Sequence, residues 1–574
     1  VIDLTEETMG QATSSATLDA TDGLARDARD ARATEVSPAL GSARLLAFVD
    51  AKRWWLFAFV AVVYLVGFNG VYHPEPDSAL YLTLGRNLAE GRGFTYHGQV
   101  NSLAYPGYPW LLAGLFKVFG AGSLFAPHAA MLVIALATLA MTYLLFRLHA
   151  GRPLAVLVTV NLALTEEMFS HAYQLRNDVP FVLGVVAFLA GYEALARRTQ
   201  PTPRSGTEPA DPVPPPAPRS GARAALAAIG PWVLVLAGLG VAVTMRPTMW
   251  ALVTAIVLAT LWTVAAHRGR VRKRHLAAAA VVVGAVVLFY LLDPRRTGVE
   301  GQYEQTVGGL LSAPGATVRR VLNFHVIEAF CTACSEAMFG HELGRGVDWL
   351  LMIWCLPAML AVTYRRPLWF FFLAGNLVIL LGLAQLPLPN YPEIVGQLVA
   401  RHFLGILPLL IYAGWIVAFA AERRLPAKFA RWAIPVALAA AFVPNLIKIA
   451  ETAYRQRAYG AVASRGQSET DGFAELARVL PAHVPPGATV IAPRKQARVV
   501  TYYTGLRVVD AAPTLSLASI PGPVYVLDQN EGTVTRLVER EHVRLGPALA
   551  VVRGRTEWRG KRVPDWTLRQ IVGR

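Results

Sequence analysis

The chain is predicted to be an α-helical polytopic membrane protein with juxtamembrane helices on its outer face and a small α/β soluble domain at its C-terminus. Three observations lead there. Of the 574 residues, 54% are hydrophobic and only 16% charged, well away from the balance of a soluble globular domain. Apolar runs recur that approach the roughly 20 residues a helix needs to cross the hydrocarbon core. Basic residues gather between these runs rather than on one face. A net charge of +16 could suit nucleic acid, but orientation in a bilayer explains this distribution better, and no nucleic-acid partner is expected.

About eleven spans are predicted, at 54–71, 125–146, 153–173, 179–196, 225–244, 248–266, 276–292, 347–363, 367–385, 403–421 and 431–447. With the N-terminus inside, the dense basic clusters all fall on one side: Lys52 and Arg53, Arg147 and Arg152, Arg197 and Arg198, the run from Arg268 to Arg274, Arg365 and Arg366, and Arg423 to Arg431. That is the positive-inside pattern, and one missed span would break the alternation. It predicts a membrane protein with a cytoplasmic N-terminus and an extracytoplasmic C-terminus.

Three regions follow. Residues 1–50 are polar, begin at Val1 and lack an apolar core near the terminus, so they read as a disordered cytoplasmic tail rather than a cleavable leader. Residues 51–449 form the membrane domain, with outer loops at 72–124 and 293–346 and a cytoplasmic Pro-rich linker at 199–223. Residues 450–574 form the outer domain. In it ATVIAP, VVTYYTG and PVYVLD read as short buried strands and DGFAELARVL as an amphipathic helix, without a phosphate-binding loop.

The stretch HPEPDSALYLTLGRNLAEGRGFTYHGQVNSLAYPGYPW, directly after the first span, carries the most chemistry. Asp77 opens a helical pattern in which Leu80, Leu84 and Leu88 share a face, ending at Gly91 and Gly93. The helix is expected on the outer interface with that face toward lipid, Asp77 serving at least as its N-cap. Arg176, Arg246 and Arg401 stand alone at predicted outer ends of spans, where cations are not expected to accumulate; each has a membrane-anchor reading and a phosphate-binding reading. Asp178 is a metal ligand, an acceptor-orienting group or an ion-pair partner of Arg176. Glu166 and Glu167, near the outer end of the third span, are costly there. In HVIEAFCTACSEAMFGHELG, Cys331 and Cys334 are favoured as a disulfide over a zinc pair, since a lone C-x-x-C is a weak metal signal. His325, Glu328 and His341 are candidate substrate contacts beside them. Cys355 reads as core packing.

The elements PEPDSALYLTLGRNLAEGRGF and AYPGYPWLLAGL after span one, RNDVPF at 176–181, TMRPT at 244–248, RHFLGILPLL at 401–410 and TVIAPRKQARVVTYYTGLRVV in the tail together resemble the GT-C membrane glycosyltransferases. The nearest branch is the protein O-mannosyltransferase-like and aminoarabinose-transferase-like, family 39-like, group. The resemblance implies a transferase that takes a sugar from a polyprenyl-phosphate donor and gives it to an acceptor protein, lipid or polysaccharide. It implies Asp77 as the catalytic base. Ser78 stands where relatives often carry Glu, which leaves open whether Glu75 is the second carboxylate. Arg246 and Arg401 would hold the phosphate, assisted by Arg176 and His402, and the turn from Tyr105 to Pro109 would shape the pocket. A divalent metal is left open, since relatives differ. A lipid-linked-sugar flippase and a non-catalytic scaffold are the competing readings, the first lacking the matched broken helices expected of many transporters.

Overall fold

The structure, a computed structural model, describes residues 40–70, 72, 75–101, 104–199, 221–246, 248–266, 280, 284, 324–340, 356–364, 366–384, 400–464, 472–511, 515–529, 533–553 and 565–573. Its helices are α1 (Leu40–Ala51), α2 (Arg53–Gly67), α3 (Pro76–Ala89), α4 (Gly107–Phe119), α5 (Phe125–Ala150), α6 (Arg152–Ala163), α7 (Glu166–His171), α8 (Asp178–Thr199) and α9 (Gly221–Met245). They continue with α10 (Met249–Ala266), α11 (Phe324–Phe339), α12 (Pro367–Ala384), α13 (Leu407–Arg424) and α14 (Ala427–Ser464). Among the described residues, α5, α8, α10 and α14 are long and apolar enough to cross a membrane, and α2, α6, α9 and α12 contain shorter apolar helices. Residues 356–363, the described end of the 347–363 segment, are also helical, whereas 276–292 lies outside the described residues apart from 280 and 284.

One expectation changes at the N-terminal end. Residues 1–39 and the linker residues 200–220 lie outside the described residues, but 40–51 form α1 instead of belonging to a disordered tail. The reason is a cap from far along the chain: the Gly41 and Ser42 N–H groups donate to the Glu422 carboxylate at 3.0 and 3.1 Å. A carboxylate there satisfies orphan donors and complements the helix dipole.

The predicted span 153–173 is broken. Chain direction changes after α6, and Thr165 caps a new six-residue helix, its hydroxyl accepting from the Met168 N–H, with Glu166 and Glu167 in the first turn. A hydroxyl followed by two carboxylates starts a helix better than it continues one. Hence α7 lies beyond the span and leaves Glu167 and His171 on one short element.

Close approach of α8 and α9 rests on Gly184 and Gly238. A Cβ on Gly184 would lie 2.8 Å from the Gly238 carbonyl oxygen, and one on Gly238 would lie 2.5 Å from the Phe188 nitrogen. Small residues of this kind let two apolar helices pack backbone to backbone. Asn177 Nδ2 then donates to the Met245 carbonyl at 2.5 Å, bringing the start of α8 beside Arg246 at the end of α9.

After α2 the chain turns into α3, with Glu75 at the N-cap and Pro76 at the first helical position. Asp77 therefore stands in the first turn rather than at the N-cap. Nor does the face of Leu80 and Leu84 meet lipid: both are buried with Phe94 and Ala104 in a small core of their own. The following segment folds back over α3 through the hairpin of β1 (Thr95–Tyr96) and β2 (Gln99–Val100), whose turn places His97 and Gly98 at positive φ, as a tight two-residue connection requires.

The described residues from 472 onward form both helices and strands. They comprise α15 (Phe473–His483), β3 (Thr489–Ala492), α16 (Arg494–Thr504), β4 (Arg507–Asp510), β5 (Val524–Asp528), α17 (Thr533–Arg540), β6 (Arg544–Val552) and β7 (Trp566–Gly573). The sheet order is β4-β3-β5-β7-β6; β3 pairs in parallel with β4 and β5, while β7 is antiparallel to β5 and β6. VVTYYTG is not a strand but the second half of α16. Ala497, Val500 and Thr501 are buried at helical spacing, and Gly505 ends the helix in the left-handed conformation.

Candidate functional site

Docking of α16 on α3 builds the site. Tyr502 and Tyr503 pack against Tyr72, with ring centroids 5.8 and 6.5 Å away. The Arg86 guanidinium lies 4.6 Å from the Tyr502 ring centroid, and His97 Nε2 is 3.2 Å from Thr501 Oγ1. Burial pushes the His97 imidazole down to about 4, with the Arg507 charge acting in the same direction, so this contact is neutral near pH 7.

These contacts deliver Arg498 to Asp77. One carboxylate oxygen of Asp77 accepts from Arg401 at 3.0 Å and the other from Arg498 at 3.2 Å. Arg401 comes from a 3₁₀ turn, Ala400–Phe403, at the head of α13. Burial works to raise the Asp77 carboxyl, but the charges of Arg401, Arg498 and Arg176 outweigh it and hold the group below the ordinary carboxylate range. Burial likewise opposes the charge on Arg401, yet Asp178 and Asp77 keep it more basic than a free guanidinium.

The neighbouring carboxylates are also taken by arginines. Glu75 pairs with Arg176 at 2.5 Å and Asp178 with Arg246 at 2.7 Å. Asp178 therefore pairs with Arg246, not with the Arg176 two residues before it. Burial raises the Glu75 carboxyl despite Arg176 and Arg401, so the two acids flanking Pro76 shift in opposite directions. Glu75 also lines a separate cavity of about 120 Å³ with Tyr72, His128 and Gln174.

The main cavity measures about 460 Å³ and is lined by Pro76, Asp77, Glu167, His171, Arg176, Glu336, Ala400 and Arg401. Its walls differ in chemistry. On one side are Asp77, Arg176 and Arg401, and the Nε atoms of both arginines are buried without a hydrogen-bond partner among the described residues. On the other, His171 Nδ1 is 2.8 Å from the Glu167 carbonyl oxygen, which fixes Nδ1 as the protonated nitrogen. Its Nε2 is then an acceptor, buried without a hydrogen-bond partner among the described residues, while Glu167 Oε2 lies 3.4 Å from Nδ1. Burial pushes His171 down to about 4, so it is neutral near pH 7, and burial together with Glu166 and Glu336 pushes Glu167 well up.

Asn445 of α14 fixes this second wall. It accepts from the Glu166 N–H at 2.9 Å, in the first turn of α7, and donates to the Met338 carbonyl at 3.0 Å, in the last turn of α11.

Several predicted residues stand elsewhere. Arg246 is turned to Asp178 and is not among the cavity-lining residues; Arg176 lines the cavity in its place. Tyr105 is buried before α4, and His402 is half-buried beside Arg401; neither lines the cavity. From α11 it is Glu336, not the half-buried Glu328, that reaches the cavity. The side chain of His325 and all of His341 lie outside the described residues, as does Cys355. Cys331 and Cys334 are buried thiols not joined to one another. They sit three residues apart within α11, a spacing that holds Cβ atoms about 5–6 Å apart, beyond the reach of a disulfide. Among the described residues no three His, Cys, Asp or Glu side chains gather as ligands for a metal ion.

Arg498 was missed by sequence reasoning, although a signal exists. RKQAR puts three cations into the first half of α16 with no acid in its first turn, the end of a helix where cations are disfavoured. A cation placed there calls for a carboxylate from elsewhere.

No family model matches the chain. No curated protein matches it by sequence. Among solved structures, ArnT from Cupriavidus metallidurans bound to undecaprenyl phosphate overlays with a TM-score of 0.52 and 14% identity, over 91% of this chain and 98% of that one. The apo state of the same ArnT overlays with a TM-score of 0.50 over the same shares, again at 14% identity. An Archaeoglobus fulgidus oligosaccharyltransferase tethered with an acceptor peptide overlays at 0.49 and 14% identity, over 85% of this chain and 68% of that one. The fold is the GT-C membrane fold that the motif order implied.

Proposed function

We propose that the chain is an inverting glycosyltransferase of the cytoplasmic membrane. It moves a sugar from a polyprenyl-phosphate donor to an acceptor hydroxyl or amine on the outer face, the acceptor being a protein, lipid or polysaccharide. One observation carries this reading: the Asp77 carboxylate, held below the ordinary range, shares a cavity with Arg176 and Arg401, each of which has a buried Nε without a hydrogen-bond partner among the described residues. Buried donors of that kind suit an anion, and a guanidinium suits a phosphate. The fold shared with ArnT, which was solved with undecaprenyl phosphate, supports a lipid-linked donor.

The chemistry needs no more than these groups. Asp77 takes the proton of the acceptor hydroxyl, whose oxygen attacks the anomeric carbon of the sugar. The bond from that carbon to the phosphate oxygen breaks, and its electron pair stays with the phosphate, where Arg401 and Arg176 balance the charge. Phosphate is a good leaving group, so no strong acid is called for. The acceptor atoms of His171 and Glu336 on the opposite wall suit the hydroxyls of the sugar or acceptor. Glu75 and Asp178 hold Arg176 and Arg246 in place.

The test is transfer from a synthetic polyprenyl-phosphate sugar by the full chain in nanodiscs. Asp77→Asn keeps the shape and removes the base, and turnover should fall by roughly 10²- to 10⁴-fold. Near-normal turnover in a folded Asp77→Asn protein would remove Asp77 from this role.

A further inference from the structure

The resting arrangement of Asp77 is unsuited to a base. Both its oxygens are occupied, by guanidiniums from segments 324 and 421 residues away in sequence, and those two charges hold the carboxyl acidic. Yet the cluster is not sealed: the Asp77, Arg401 and Arg498 side chains retain 34%, 27% and 29% of their exposure, so a second anion can reach the same guanidiniums. A phosphate offers more acceptor oxygens and more charge than one carboxylate, and it matches the planar fork of arginine.

We infer that Asp77 acts as a stand-in for the donor phosphate, and that Arg498 of the C-terminal domain is a donor-phosphate ligand exchanged from Asp77 to the phosphate when the lipid donor binds. This rests on the transferase reading above. The exchange couples two events. Binding draws Arg498, and part of the hold of Arg401, away from the carboxylate, which then regains the basicity to accept the acceptor proton. After transfer, the freed polyprenyl phosphate competes with Asp77, now carrying that proton, for the same cations. Loss of the proton restores the carboxylate as competitor and favours product release. The C-terminal domain thereby contributes a group to the site rather than only covering it.

Three features of the geometry agree. Arg498 reaches Asp77 from a helix whose docking is held by other contacts, those of Arg86, Tyr502, Tyr503 and Thr501, so Arg498 can change partner without undocking the domain. Asp77 lies in the first turn of α3, where the helix terminus stabilises its charge when the guanidiniums leave. The cavity of about 460 Å³ that Arg401 lines leaves room for an anion beside it before any exchange begins.

The experiment is a binding titration of undecaprenyl phosphate to the full chain in nanodiscs, for the unaltered protein, Asp77→Asn, Arg498→Gln and Arg498→Lys, together with the pH profile of kcat/KM. If Asp77 competes for the cations, Asp77→Asn binds the phosphate lipid roughly tenfold more tightly although it cannot turn over, the size of one charge-assisted hydrogen bond regained. Arg498→Gln binds it roughly tenfold more weakly, moves the acidic limb of kcat/KM to higher pH because Asp77 loses a neighbouring cation, and is partly rescued by Arg498→Lys. An affinity in Asp77→Asn equal to or below that of the unaltered protein overturns the exchange. So does an Arg498→Gln protein with unchanged affinity and pH limb. Failure of the unaltered protein to bind undecaprenyl phosphate at all overturns instead the transferase reading beneath it.

Discussion

Asn445→Leu, which keeps the side-chain volume and removes its polar atoms, tests how the acceptor wall of the cavity is held. The Asn445 side chain is fully buried. It satisfies two groups that no helix can satisfy for itself: the Glu166 N–H at the start of α7 and the Met338 carbonyl near the end of α11. A third bond, to the Ala441 carbonyl at 2.9 Å, lies within its own helix, where the backbone ladder already uses that oxygen. The loss is therefore two buried orphan groups, at about 1–3 kcal/mol each, or roughly 3–4 kcal/mol if the ends relax in part. This falls on local opening of α7 and α11 rather than on the whole bundle. At 1.4 kcal/mol per decade, protection of amides in Glu166–His171 and Phe330–Phe339 should fall roughly 10²-fold while α8 is unchanged. Hydrogen exchange followed by mass spectrometry in nanodiscs reads both. Unaltered protection of α7 and α11 would refute the assignment of Asn445 as their shared cap.

Other outcomes follow from single features. Since Asp77 sits below the ordinary carboxylate range, transfer should hold steady as pH falls to the ordinary aspartate value and decline only below it; Arg401→Gln should move that limb upward in a kcat/KM profile. Glu167 is raised by burial and by neighbouring acids, which favours its neutral form, so Glu167→Gln should keep turnover within a few fold, by roughly the worth of one altered hydrogen bond, in a steady-state assay. Gly238→Val should abolish a monodisperse folded protein in size-exclusion chromatography, because its Cβ would meet the α8 backbone. Gly240→Ala, with nothing within 4 Å, should elute like the unaltered chain.

The parts of the fold legible in sequence are those written in local pattern. Apolar runs mark most helices, and ATVIAP and PVYVLD mark two strands because short β-branched runs between turn residues leave little else. Arg176 and Arg401 stand out in sequence because a lone cation at the outer end of an apolar run is unexpected there, and Asp77 because it opens a helical pattern within a stretch that resembles the first outer loop of the GT-C family. What stayed hidden depends on partners far along the chain. The apolar face of α3 reads as lipid-facing until Phe94 and Ala104 fold back to cover it. VVTYYTG has strand composition, but Ala497, Val500 and Thr501 show the helical period once RKQAR is counted as its first half. The cap of Glu422 on α1 and the bridge of Asn445 between α7 and α11 are single polar residues in apolar helices, and nothing beside them in sequence names their targets.

The distances along the chain between the partners of Asp77 set an order of assembly. Asp77 is made early, Arg401 comes 324 residues later and Arg498 421 residues later. Until they arrive, the carboxylate lacks the two guanidiniums that donate to it, and the cavity lacks Ala400 and Arg401 from its wall. A ribosome adding about 5–20 residues per second takes tens of seconds to cover that span. The cluster around Asp77 is therefore complete only when the C-terminal segment folds against α3. A product truncated before that segment would lack the Arg498 contact to Asp77.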